Sequence, residues 1–145
     1  MPISTLLSRS TRSSTATTLL YVLVVVVFLL SMKQFYGRKT GFIALINFGD
    51  RFESTVLPAV RDVPHFTEFR SAGYDSQFYA QLAVEPLLRD PAIDLALDTP
   101  QYRARRILFA WIAYLTGLGR PALILKAYAL QNIMAWLLLS ALLVR

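Results

Sequence analysis

A chain of 145 residues has room for one hydrophobic core, yet 55% of it is apolar and its mean hydropathy is +0.47, too high for an ordinary water-soluble domain. It contains no cysteine, which excludes disulfides and thiolate metal sites. The net charge of +6 is not a nucleic-acid signal: the acidic residues all lie between Asp50 and Asp98, and the basic ones border the apolar runs, as side chains that snorkel to headgroups do.

Residues 1–16, MPISTLLSRSTRSSTA, are rich in Ser and Thr and read as a disordered polar head. Residues 17–32, TTLLYVLVVVVFLLSM, carry no charge. At ~1.5 Å per residue they give ~24 Å of helix, a little short of a ~30 Å hydrocarbon core, and Ala16 with the Ser/Thr residues before it completes a span. A cleaved signal would place a small-x-small site after the apolar run. KQFYGRK stands there instead, so the segment reads as an uncleaved anchor.

Residues 33–99 form a long amphipathic loop rich in acids, aromatics and prolines. GFIALINFGDRF fits a short strand or an interfacial helix, and VLPAVRDVPHF, with two prolines, reads as extended. Asp75 is placed to cap a helix that carries Phe78 and Leu82, with Tyr79 and Ala83, on one face until Glu85-Pro86 ends it. Asp90-Pro91 starts a second short helix, and Asp98-Thr99-Pro100 repeats the device.

The uncharged run 107–119 is too short to cross a bilayer, but a helix from Pro100 to Leu118 would reach ~28 Å. Gly117-Leu-Gly-Arg-Pro121 is a stop and turn. Residues 121–144 form a further apolar run, interrupted by Lys126, Gln131 and Asn132. The expected fold is an all-α membrane protein with three transmembrane helices (17–32, 100–118 and 121–144), the first two separated by a loop that holds short helices. Sidedness is not legible in charge: Arg9 and Arg12 precede the first span, but Lys33, Arg38 and Lys39 follow it.

The stretch GYDSQFYAQL, residues 73–82, sets a carboxylate among aromatics and amides. Capping a helix is the plainer role for Asp75, and serving as a general base towards a sugar hydroxyl is the sharper one; aromatic walls would raise its pKa, and Tyr74, Gln77 and Tyr79 could hold a polar acceptor. Arg103, Arg105 and Arg106 fall in the first turns of the helix expected from Pro100, where the macrodipole disfavours cations. Three explanations stay open: snorkelling to headgroups, pairing with Asp98 or Asp94, and a site for a phosphate. Asp50 in NFGDRF is a second candidate acid, with a turn or a pair with Arg51 as the plainer role. His65 stands alone, outside any metal-ligand spacing, and Gln131 and Asn132 suit hydrogen bonding between helices. No glycine-rich phosphate loop, HExxH or nucleophile elbow is present.

GYDSQFYAQLAVEPLLRDP followed by LDTPQYRARRILFAW, with NFGDRF upstream and RPALILKAYALQN downstream, resembles the start of bacterial polytopic membrane proteins of glycosyltransferase-C architecture. The resemblance covers roughly residues 41–135, and Ser76 stands where the family pattern has glycine. It implies a bacterial cytoplasmic-membrane enzyme whose loop 33–99 faces the exterior or periplasm and which transfers a sugar, mostly with inversion, from a polyprenyl-phosphate donor. Asp75 would then be the base, Tyr74, Gln77 and Tyr79 would line the acceptor site, and Arg103, Arg105 and Arg106 would meet the lipid phosphate. No cofactor is implied, and a divalent metal stays open. Such enzymes have more spans than three, so the chain is expected to be the N-terminal part of a longer protein, inactive alone. The rival expectation is a small non-enzymatic membrane subunit that assembles with partner helices. The partners expected are membrane lipid, the donor, and further helices, not nucleic acid.

Overall fold

The computed structural model describes residues 3–143, with side chains from residue 15 onward. It is mostly helical and divides into two compact units, Met1–Gln34 with Met134–Arg145, and Phe35–Ile133.

The first unit holds helix α1 (Ile3–Met32) and the end of helix α7 (Pro121–Leu143). Over residues 19–30, apolar side chains, mostly valine and leucine, lie on every side of α1 and leave that stretch no polar face. Its backbone is already helical from Ile3, so the head expected to be disordered is drawn into the helix over residues 3–16; residues 1–2 lie outside the described residues. Phe28 stacks on Trp136 with ring centroids 4.0 Å apart. Two helices are long and apolar enough to cross a membrane: Thr15–Phe35, 21 residues with mean hydropathy 2.3, and Pro121–Leu143, 23 residues with mean hydropathy 1.5. At ~1.5 Å per residue they reach ~31 and ~34 Å. None of the apolar window of the first is buried within the chain, which a helix serving as a soluble core would require. The third expected span ends at Leu143 among the described residues; Val144 lies outside them.

The second unit contains the loop and its short elements. GFIALINFGDRF becomes two 3-10 turns, Ile43–Ile46 and Asp50–Thr55, on either side of strand β1 (Phe48–Gly49), which pairs in parallel with β2 (Thr67–Glu68). VLPAVRDVPHF is not extended throughout: Pro58 occupies the first turn of helix α2 (Pro58–Arg61), where its missing N–H is no loss. Helix α3 (Ser76–Val84) ends at Glu85 as expected, and α4 (Ile93–Ala96) begins after Asp90, whose Oδ1 accepts the Ala92 N–H at 2.9 Å.

The helix expected over residues 100–118 is broken. Helix α5 (Pro100–Ala104) and helix α6 (Leu108–Thr116) are separated by a turn at 105–107, where Arg105 and Arg106 donate their N–H groups three residues back, to Tyr102 and Arg103. Crowding of cations at the start of a continuous helix is thereby relieved. Alone, α6 covers only ~13.5 Å and cannot cross a ~30 Å core.

Helix α3 is buried nearly all round and packs chiefly against α6. Its Ala80 and Ala83, with Ala110 and Ala113 of α6, are fully buried, and such small side chains let two helices approach closely. Ile43, Ile46, Phe48, Leu57, Leu82, Ile93 and Ile124 complete the core. At the α6–α7 turn a Cβ on Gly117 would sit 2.5 Å from the Ile124 backbone nitrogen, so that corner requires glycine.

Candidate functional site

The site forms where the start of α3 meets α5. Gly73, at φ +66°, turns the chain so that its backbone lies against Asn47 and Gly49; a side chain at Gly73 would collide with both. The Tyr74 N–H donates to the Asn47 carbonyl at 3.1 Å, and Ser76 Oγ donates to the Ile46 carbonyl. Asp75 is therefore held at the head of α3 by its neighbours and not by its own carboxylate.

That carboxylate makes no capping bond. It turns instead to Arg103 of α5: Arg103 Nη2 donates to Asp75 Oδ1 at 3.0 Å, and Nη1 lies 2.9 Å from Oδ2 as an ion-pair contact without the alignment of a hydrogen bond. Arg103 also grips Asp98, with Nε donating to Oδ1 at 2.9 Å and Nη2 to Oδ2 at 2.7 Å. One guanidinium thus bridges two carboxylates. Its Cζ lies 4.9 Å from the Phe78 ring centroid, 5.0 Å from Tyr79 and 5.7 Å from Tyr102, an aromatic box suited to a cation.

Burial across this cluster is uneven. The Arg103 side chain is 5% exposed, that of Asp98 34%, and that of Asp75 77%. The hydrogen bond from Arg103 holds the Asp75 carboxyl below its ordinary pKa, outweighing the opposite pull of burial. The same donor lowers Asp98. The expectation that aromatic walls raise the Asp75 pKa is overturned, because a cation sits between the carboxylate and the rings.

The remaining expected residues divide sharply. Tyr79 stacks on Arg103, and its buried hydroxyl has no hydrogen-bond partner among the described residues. Tyr74 is 68% exposed. Gln77 is no lining residue: it is buried, its Oε1 accepts the Gly49 N–H at 3.1 Å and its Nε2 donates to the Ala72 carbonyl at 2.6 Å. Both ends of the amide are committed to holding loop to helix. Arg105 and Arg106 are exposed and outside the clamp, with Arg106 lying 5.3 Å from the Tyr102 ring centroid. The three arginines do not form one site. Pairing with Asp98 accounts for Arg103, and the other two stay free for headgroups or an anion.

Asp50 does not pair with Arg51. Its oxygens accept the N–H groups of Arg70 at 2.7 Å and Ser71 at 3.1 Å, closing the loop after β2. His65 packs on Phe48 at 4.5 Å and bonds the Val63 carbonyl. Among the described residues no group of three or more acidic or histidine side chains could hold a metal. Gln81 escaped notice in the sequence although it does for Leu57 and Ala96 what Gln77 does for Gly49 and Ala72. The spacing of two glutamines four apart on an otherwise buried helix was the available signal. Within the second unit, the amide of Gln131 is shut off from solvent without a partner, whereas Asn132 is exposed. No family model, curated protein or solved structure matches this chain.

Proposed function

We propose that this chain supplies the N-terminal part of a glycosyltransferase-C-like membrane enzyme, with Asp75 as general base and a donor cavity completed by further membrane helices. The observation that carries the reading is the Asp75–Arg103–Asp98 clamp: in a chain with two helices able to span a membrane, it gathers a solvent-facing carboxylate and a nearly buried cation at one place. A sugar acceptor and a polyprenyl phosphate need those two chemistries side by side, a proton acceptor and a partner for anionic oxygen. The loop 33–99 faces the exterior or periplasm of a bacterial cytoplasmic membrane in this reading.

The lowered pKa of Asp75 sets a condition on the mechanism. While Arg103 holds it, Asp75 is a weak base. An anionic phosphate that takes the place of Asp75 on Arg103 returns the carboxylate to water, where its basicity recovers and it can accept the acceptor's hydroxyl proton. Asp75→Asn tests the assignment in membranes that contain the complete enzyme and a polyprenyl-phosphate sugar. Because the native carboxylate makes no cap bond, the variant should insert and fold normally while transfer falls by ~10²-fold or more. Near-normal transfer would remove Asp75 from the catalytic role.

A non-enzymatic membrane subunit is the second reading, favoured by Asn132 of α7, an exposed amide on an apolar helix that a partner helix can hydrogen-bond.

A further inference from the structure

We propose that α6 is an in-plane membrane anchor, its outward face resting among the acyl chains of one leaflet and its flanking arginines reading anionic phospholipid. The helix has two unlike faces. Ala110, Ala113 and Gly117 turn inward, whereas Leu108, Phe109, Ile112 and Leu115 are 68%, 45%, 42% and 64% exposed. These four recur at the spacing of one helical stripe. Nothing in the second unit covers them, and α3 already occupies the opposite side.

Charge decides the occupant and the orientation. Arg105 and Arg106 precede the helix, Arg120 follows it, and all three are exposed. No acidic residue occurs after Asp98, and no carboxylate forms an ion pair with these three cations among the described residues, so phosphates on both flanks of an apolar stripe match them. The helix spans only ~13.5 Å, and standing it upright would carry Arg106 or Arg120 into hydrocarbon. Lying flat keeps both ends at headgroup level. Trp111 and Tyr114, in edge contact at 5.7 Å, are half-buried beside the stripe, where amphipathic rings favour the interface.

The chain lacks cysteine, so Leu108→Cys, Ile112→Cys and Leu115→Cys each give the full-length protein a single attachment point for a nitroxide. The labelled proteins would be reconstituted in phosphatidylcholine vesicles with and without phosphatidylglycerol, and depth read from relative accessibility to oxygen and to a water-soluble nickel chelate. With phosphatidylglycerol, all three labels should lie at one depth, ~5–10 Å below the phosphates. A depth change of ~10 Å between positions 108 and 115, seven residues apart, would mean an upright helix and overturn the proposal. Labels shielded from both reagents would mean that protein covers the face, and labels open to the chelate would mean that water does; either overturns it. Removing phosphatidylglycerol, or combining Arg105→Gln, Arg106→Gln and Arg120→Gln, should raise chelate accessibility at least about twofold, as expected when interfacial binding loses its electrostatic share. Unchanged accessibility in both cases would refute the recognition of anionic lipid.

Discussion

Replacing Arg103 by Met removes one side chain that serves two carboxylates and three rings, and the structure sets how much that should cost. Breaking a fully buried ion pair costs ~3–5 kcal/mol because a stranded charge stays in the protein, whereas an exposed pair contributes ~0.2–1 kcal/mol. Here the stranded charges are the carboxylates, 34% and 77% exposed, and both can rehydrate. The Asp98 contact should be worth ~1–2 kcal/mol, the solvent-screened Asp75 contact below ~1 kcal/mol, and the guanidinium on its rings ~0.5–1 kcal/mol. Met refills most of the volume, so the expected loss is ~2–3 kcal/mol, or ~5–10 °C in Tm for a chain of this size. The test is thermal unfolding of the detergent-solubilised protein by circular dichroism, across Arg103→Met, Asp98→Asn and Asp75→Asn. The loss should fall in that order, with Asp75→Asn within ~1 kcal/mol of the parent. An Asp75→Asn loss equal to that of Arg103→Met, or an Arg103→Met Tm within ~1 °C of the parent, would refute the unequal burial on which the estimate rests.

Gln81→Leu keeps the shape of a buried side chain but strands the Leu57 N–H and the Ala96 carbonyl; at ~1–3 kcal/mol per buried orphan it should lower stability by ~2–6 kcal/mol in the same assay, and a neutral outcome would mean that water replaces the amide. The clamp also predicts a pH dependence. Asp75 and Asp98 have native pKa values below the ordinary 3.8, so the unfolded chain binds protons first on acidification. Their contribution is complete above that value and is lost as pH falls through the lowered native values. The Tm gap between the parent and Arg103→Met should accordingly be constant from neutrality down to about pH 5 and close only below about pH 4; a gap that closes near neutrality would point to another titrating group.

The features legible in the sequence were those written in short-range chemistry. Long apolar runs located α7 and the membrane-length part of α1, Asp90-Pro91 located the start of α4, and Glu85-Pro86 the end of α3, because apolar length and proline stereochemistry act within a few residues. What the sequence hid depends on partners distant along the chain. Asp75 occupies a capping position, but its choice between a cap bond and Arg103, 28 residues away, is settled by packing. Gln77 looked like a ligand-binding amide because its partners, Gly49 of β1 and Ala72 in the turn before α3, are brought to it by an approach that no local pattern encodes. The break at 105–107 was half visible: three arginines in four positions contradict a helix start, and the chain resolves the conflict by turning.

The unequal burial of the two acids assigns them different parts in the proposed transfer. Asp98 holds Arg103 through two aligned hydrogen bonds, 2.9 and 2.7 Å, and is the more shielded partner. Asp75 holds it through one aligned bond at 3.0 Å and a second contact poorly directed, with most of its side chain already in water. An anion that competes for the guanidinium meets the weaker grip at Asp75, while Asp98 keeps Arg103 aimed from within the aromatic box. The Nη1 donor, which faces Asp75 without an aligned hydrogen bond, is a further group that an incoming oxygen could satisfy once Asp75 has left. Exchange of a carboxylate for a phosphate on one arginine would then bind the donor and release the base in a single event, which couples deprotonation of the acceptor to the presence of the sugar it is to receive.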